Sequence, residues 1–186
     1  MTSSQSSNTN KTIAVDLGCG ANPKNPFNAE TLIGIDFNIA VEDKPGLISS
    51  DIALEGIPLP DSSVDYVTAI DFLEHIQRTP LYKGETCIRN PFIFVMNEIS
   101  RVLKKGGLFM HQTPSYPKDE CFMDPTHVNP IVESTIIYFA KAYNKEGIDV
   151  GQSIREISES YGIKTRFIFK SSRWIDFRIE QLLEKY

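Results

Sequence analysis

Apolar residues along this chain gather in short runs separated by polar turns, and five of the runs have the length of strands. Thr12–Val15 (TIAV), Leu32–Ile35 (LIGI), Leu47–Ser50, Tyr66–Ile70 (YVTAI) and Leu108–Gln112 read as strands of a parallel sheet, buried on both faces. The first four are each followed by an aspartate: Asp16, Asp36, Asp51 and Asp71. One aspartate after a strand is an ordinary turn or helix N-cap residue. Four in register line the carboxyl edge of a parallel sheet, where open α/β sheets bind ligands. They predict a ligand rich in cationic or hydroxyl groups.

Helical spacing takes over after Pro91, with Phe94, Val95, Ile99, Val102 and Leu103 recurring on one face until Gly106–Gly107 ends the helix. The four prolines between Pro114 and Pro130 predict an irregular loop. Ile131–Tyr143 and Ile154–Tyr161 are read as helices. Arg166–Lys170 and Trp174–Ile179 are read as an antiparallel pair joined by a tight Ser171–Ser172 turn that closes one edge. The expected architecture is α/β: a three-layer sandwich on a mostly parallel, seven-stranded sheet with an antiparallel hairpin strand near its C-terminal end.

The 186 residues fit one domain, and 41% hydrophobic residues suffice for an ordinary core. Met1–Asn10 is polar and is expected to be a disordered tail, leaving one domain over residues 11–186 with an acceptor-side insertion around 115–161. A net charge of -5 argues against nucleic acid as partner, since nonspecific binding needs a basic surface. Cys19, Cys87 and Cys121 form no disulfide pattern, and no apolar run approaches a membrane span. A cytoplasmic protein, monomeric or homodimeric, is expected.

The turn after the first strand reads Val15–Pro23, VDLGCGANP. Gly18 and Gly20 let the backbone turn sharply and approach a ligand that a Cβ would exclude. A dinucleotide loop requires a third glycine where Pro23 stands, so NAD is disfavoured. No Gly-Lys-Ser/Thr follows, which excludes a phosphate-binding P-loop. DLGCG resembles motif I of the class I, Rossmann-like S-adenosylmethionine-dependent methyltransferases. The resemblance continues in order through GIDFN (Gly34–Asn38), SDIA (Ser50–Ala53), LPDSSVDYV (Leu59–Val67), DFLEHI (Asp71–Ile76) and RVLKKGG (Arg101–Gly107). It implies S-adenosylmethionine as cofactor and S-adenosylhomocysteine as product.

Site roles follow from that resemblance. Asp16 would face the ammonium of the methionine part, with Gly18, Cys19, Gly20 and Asn22 in the loop beside it. Asp36 would accept from both ribose hydroxyls, and Phe37 would pack beside the adenine. Asp51 would accept from the adenine amino group while the Ile52 N–H donates to a ring nitrogen. Asp71, Phe72 and His75 would lie near the methionine end and the acceptor. Motif I commonly carries another glycine where Ala21 or Asn22 stands, and ANPKNP shortens the usual first helix.

The cofactor supplies the electrophile, so the protein's share is to orient an acceptor and, for a hydroxyl, to take its proton. His75 and His111 have plain packing roles as alternatives to chemistry. His127 lies in the stiff loop Cys121–Pro130 (CFMDPTHVNP), expected to overhang the strand ends, with Asp124 placed to orient its imidazole. DPTH resembles a segment of small methyltransferases acting on sugars, glycan-like and natural-product acceptors. The equally weighted alternative is that Asp124 caps a turn and His127 ties the loop down. Cys121, Asp124 and His127 match metal ligands by type but not by spacing, and no metal is expected. Methyl transfer to a sugar, glycan or small natural-product hydroxyl is the expected activity; the alternative is a non-catalytic S-adenosylmethionine-binding regulatory or scaffold module.

Overall fold

A computed structural model describes residues 11–38, 45–84, 86–142 and 151–186. The expected tail, Met1–Asn10, lies outside them. In chain order the elements are β1 (Ile13–Leu17), β2 (Thr31–Asp36), β3 (Leu47–Ser49), α1 (Ile52–Glu55) and β4 (Val64–Ile70). A 3-10 turn (Leu73–His75) leads to β5 (Leu81–Lys83), β6 (Thr86–Arg89), α2 (Pro91–Val102), β7 (Leu103–Pro114) and α3 (Glu120–Met123). A second 3-10 segment (Glu133–Phe139) precedes β8 (Ala140–Ala142), α4 (Gln152–Ser160), β9 (Phe167–Ile175) and β10 (Arg178–Lys185).

Among the described residues the main sheet has eight strands in the order β3-β2-β1-β4-β7-β10-β9-β8, one more than expected. Only β10 runs against its neighbours, pairing antiparallel with both β7 and β9. This is the mixed, mostly parallel sheet of the Rossmann-like fold. Its register aligns one row of side chains across the strands: Ile33, Val15, Val67, Phe109, Leu183 and Phe169. All six belong to, or pack against, a single apolar core.

Helix α2 covers that core for reasons already present in its sequence. Asn90 caps it by accepting from the Ile93 N–H (3.1 Å), and Pro91 opens the first turn. Phe92, Val95, Met96, Ile99 and Val102 recur at helical spacing and are buried, each worth roughly 1.5–3 kcal/mol. No helix forms among the described residues between β1 and β2. There the ANPKNP stretch breaks helical geometry, and Phe27 stacks on Tyr66 at 4.6 Å instead.

Three expectations need correction. Helix α2 stops at Val102, and Gly106–Gly107, expected to end it, lie inside β7. Ile131–Tyr143 is not a continuous helix: its described part is the 3-10 segment followed by edge strand β8, whose three residues carry no pattern of their own. The hairpin turn is not at Ser171–Ser172, which lie inside β9, where the register slips opposite Leu182/Leu183. The chain reverses at Asp176, whose φ of 54° places it in the left-handed region that aspartate tolerates. The hairpin therefore does not close the sheet edge; β10 is interior and β8 is the edge.

Candidate functional site

A cavity of about 930 Å³ opens at the carboxyl ends of β1, β2 and β4, large enough for a cofactor and part of an acceptor. Gly18, Asp36, Phe37, Asp51 and Ile52 line one end, and Asp71, Phe72, His75, Thr126 and Val128 line the other. Asp16, Cys19, Gly20, Asn22, Asp124 and His127 do not line it.

The glycine turn is held from β2. The Gly18 N–H donates to the Ile35 carbonyl and the Gly20 N–H to Asp36 Oδ2, both at 2.9 Å. Both glycines have positive φ, 66° and 53°. A Cβ on Gly18 would lie 2.3 Å from the Phe72 ring, so the side chain excluded there is that of Phe72. Around Gly20 a Cβ would meet nothing within 4 Å, leaving open space over the turn.

Asp16 is placed differently from the expectation. It is buried, with Oδ1 accepting from Thr68 Oγ1 (2.6 Å) and Oδ2 from the Lys24 N–H (2.7 Å). It fastens the far end of the turn and does not face the cavity. Burial raises its carboxyl, against the lowering effect of those two bonds. The Cys19 thiol packs under the turn, where a Cβ on Gly34 would come within 2.7 Å of the sulfur, and burial pushes it up to about 11. Asn22 is exposed, its N–H directed at the Cys19 carbonyl.

Asp36 ends β2 half-buried at the cavity wall, and its Oδ1 accepts from the Asn38 N–H at 2.9 Å. Phe37, 73% exposed, offers its ring to solvent and to the cavity. Asp51 caps α1 through Oδ1, accepting from Ala53 and Leu54 N–H. The Ile52 N–H is a first-turn donor with no acceptor inside its helix.

At the other end Asp71 adopts a φ of 50° and its carboxylate grips Arg178 in a two-pronged pair of 2.6 and 2.8 Å. Asp71 lines the cavity as expected of its position, but its carboxylate is engaged by Arg178. Arg178 carried no local sequence signal, because 107 residues separate it from Asp71.

The expected Asp124–His127 pair is not formed. The Asp124 carboxylate accepts from the Thr126 N–H (2.8 Å) and Oγ1 (2.6 Å), which hold its pKa down. Its Oδ2 lies 3.9 Å from His127 Nε2, too far for a hydrogen bond. His127 Nδ1 meets the Glu120 carbonyl at 3.1 Å instead. Asp124 caps the turn, and His127 packs edge-on against His75, ring centroids 4.9 Å apart.

Beneath the two rings lies Glu74, which sequence reasoning passed over. It is 1% exposed; Oε2 accepts from Thr113 Oγ1 (2.9 Å), and Oε1 has no hydrogen-bond partner among the described residues. Burial raises its carboxyl. Its backbone carbonyl takes the N–H groups of both Val128 and Asn129 at 2.9 Å, tying the His127 loop to the 3-10 turn. His111 is a core residue: Nε2 meets Gln181 Oε1 at 3.0 Å, and burial lowers it to about 4, so it is neutral.

Residues 15–111 match the family model described as a methyltransferase domain. No match was found among curated proteins. Solved structures align over nearly the whole chain. An S-adenosylmethionine-dependent methyltransferase from Archaeoglobus fulgidus is 18% identical with a TM-score of 0.54, covering 95% of this chain and 87% of that one. The complex of the Haloferax volcanii Trm112 methyltransferase activator with a putative methyltransferase gives 13% and 0.54 over 94% and 83%. An S-adenosylmethionine-dependent methyltransferase from Aquifex aeolicus gives 12% and 0.51 over 94% and 82%. At such identities the likeness is one of fold.

Proposed function

The chain belongs to the methyltransferase domain family and is an S-adenosylmethionine-dependent methyltransferase, and from that premise we propose that it methylates a hydroxyl of a sugar, glycan or small natural product. The observation that carries the reading is the division of the cavity: strand-end carboxylates at one end, and at the other His75 on its 3-10 turn beside Thr126 and Val128 of the facing loop. Residues 11–186 form one domain in this reading, with an acceptor-side insertion around 115–161.

The residues fit the cofactor. Asp36, pre-oriented by two backbone N–H groups, suits a ribose diol; Phe37 suits the adenine face. Asp51 and the Ile52 N–H suit the adenine edge, and the open space over Gly20 suits the methionine part. The cofactor supplies an electrophilic methyl when bound. The chain's own work is then to exclude water and hold the acceptor oxygen opposite the sulfur. Orientation of this kind lowers a barrier by several kcal/mol. His75, with His127 behind it, is the acceptor-side group; the Glu120 carbonyl, rather than Asp124, sets the His127 ring.

Calorimetry with S-adenosylmethionine, followed by S-adenosylhomocysteine release with hydroxyl, amine and thiol acceptors, tests the proposal. Release stimulated by hydroxyl-bearing glycosides is expected. Stimulation only by amines or thiols overturns the acceptor class, and tight binding without turnover on any acceptor would identify a binding module.

A further inference from the structure

The histidines and Glu74 at the acceptor end form a cluster whose geometry suits something other than proton transfer. One nitrogen of each ring and one Glu74 carboxylate oxygen all lie within 4.8 Å of one another. His75 Nδ1 faces the Thr126 carbonyl at 3.3 Å and Thr126 Oγ1 at 3.0 Å, and His127 Nδ1 faces the Glu120 carbonyl at 3.1 Å. A carbonyl only accepts, so in each neutral ring the proton sits on Nδ1 and the lone pair on Nε2. Histidines whose other nitrogen is fixed in this way are the usual form of metal ligands.

The carboxylate adds an independent sign. Glu74 is buried, yet Oε1 has no partner among the described residues, a costly arrangement for an oxygen that is often charged. The support is rigid: Val128 and Asn129 N–H groups bind the Glu74 carbonyl, the Asn129 side-chain amide donates to the Leu73 carbonyl at 2.9 Å, and Arg78 Nε donates to Asn129 Oδ1. These bonds fasten the loop to the turn.

We infer that Nε2 of His75, Nε2 of His127 and a carboxylate oxygen of Glu74 bind a first-row divalent transition cation, contrary to the expectation of no metal. Two imidazoles and one carboxylate suit zinc, iron(II) or manganese(II). Ligand atoms around zinc stand about 3.3 Å apart, so closure asks for a shift of up to about 1.5 Å, within reach of the exposed His75 side chain. His75 lines the cavity, so an ion held by three protein ligands turns its open positions toward the acceptor. There it would bind the acceptor hydroxyl and lower its pKa, with the proton leaving to solvent. This role rests on the methyl-transfer reading; binding of the ion does not.

The test uses the full chain, stripped with chelator and titrated separately with zinc chloride and manganese chloride, with binding read by calorimetry and thermal midpoint. One equivalent per chain is expected for at least one ion, with a raised midpoint. His75→Asn and Glu74→Gln should each weaken binding by about 100-fold or more while S-adenosylmethionine affinity is kept. Failure to bind either ion stoichiometrically, or equal binding by wild type and His75→Asn, overturns the inference. Loss of cofactor binding by the wild type would instead overturn the methyltransferase reading, so the two failures are distinguishable.

Discussion

At the end of the cavity proposed to hold the cofactor, Gly18, Asp36 and Asp51 each stand at or just beyond the end of a parallel strand, and each is fixed by neighbours close in sequence or one strand away. At the end proposed for the acceptor, Asp71, Glu74 and His75 are fixed by partners far along the chain, Arg178, Thr113 and Thr126, while His127 is set within its own loop by the Glu120 carbonyl. The first end is a property of sheet geometry, and any sequence that makes the strands positions the carboxylates. The second is assembled from a turn, a loop and the start of β10, so its shape depends on tertiary contacts that can be altered one by one. The contrast separates a binding surface common to a fold from a surface peculiar to this chain.

Three changes test that contrast. The largest effect is expected for Asp36→Ala, which removes two charge-assisted bonds to the ribose and should weaken S-adenosylmethionine binding about 100-fold, about 3 kcal/mol. Calorimetry decides it, and unchanged affinity would show that the strand-end carboxylate does not bind cofactor. Next is acid sensitivity. His111 lies two residues before Thr113, the hydroxyl partner of Glu74, and its folded pKa of about 4 is below the ordinary 6.5. The unfolded chain therefore takes up a proton that the folded chain refuses, and stability is lost as pH falls from about 6.5 toward 4. Between pH 7.5 and 5 the unfolding free energy from urea titrations should fall by about 2 kcal/mol, a slope that His111→Leu should flatten. The smallest effect is for Arg178→Met, which releases Asp71. The pair is part-exposed, so about 1–2 kcal/mol of stability should be lost. Turnover should drop more than cofactor affinity, and an equal drop in both would place Asp71 at the cofactor end.

The same contrast explains what the sequence disclosed. Strands β1 to β4 announce themselves because apolar runs and following aspartates are local signals. The start of α2 was visible in Pro91, but its end was not: Leu103 and the Gly106–Gly107 pair expected to end the helix lie inside β7. Nor were the ends of β9 and β10. Serines commonly make turns, yet Ser171 and Ser172 pair with β10, and the reversal falls on Asp176. Glu74 lies between an apolar leucine and a histidine, and nothing local says that its carboxylate is buried against Thr113. The spacing of Asp124 and His127 in DPTH suggested a pair that Thr126 prevents by taking the carboxylate. Local chemistry wins where a hydroxyl two residues away reaches the carboxylate first.

The interior position of β10 has a consequence for the making of the protein. Residues 103–114 emerge from the ribosome long before residues 178–185, yet their strand has no neighbour on that side until β10 inserts. Throughout that interval β7 is an open edge, with backbone N–H and C=O groups available to any passing strand. The parallel half of the sheet can assemble early, whereas joining it to β9 waits for the late strand. Chains that end before residue 178 therefore carry β7 with an unpaired edge, the arrangement most open to cross-pairing.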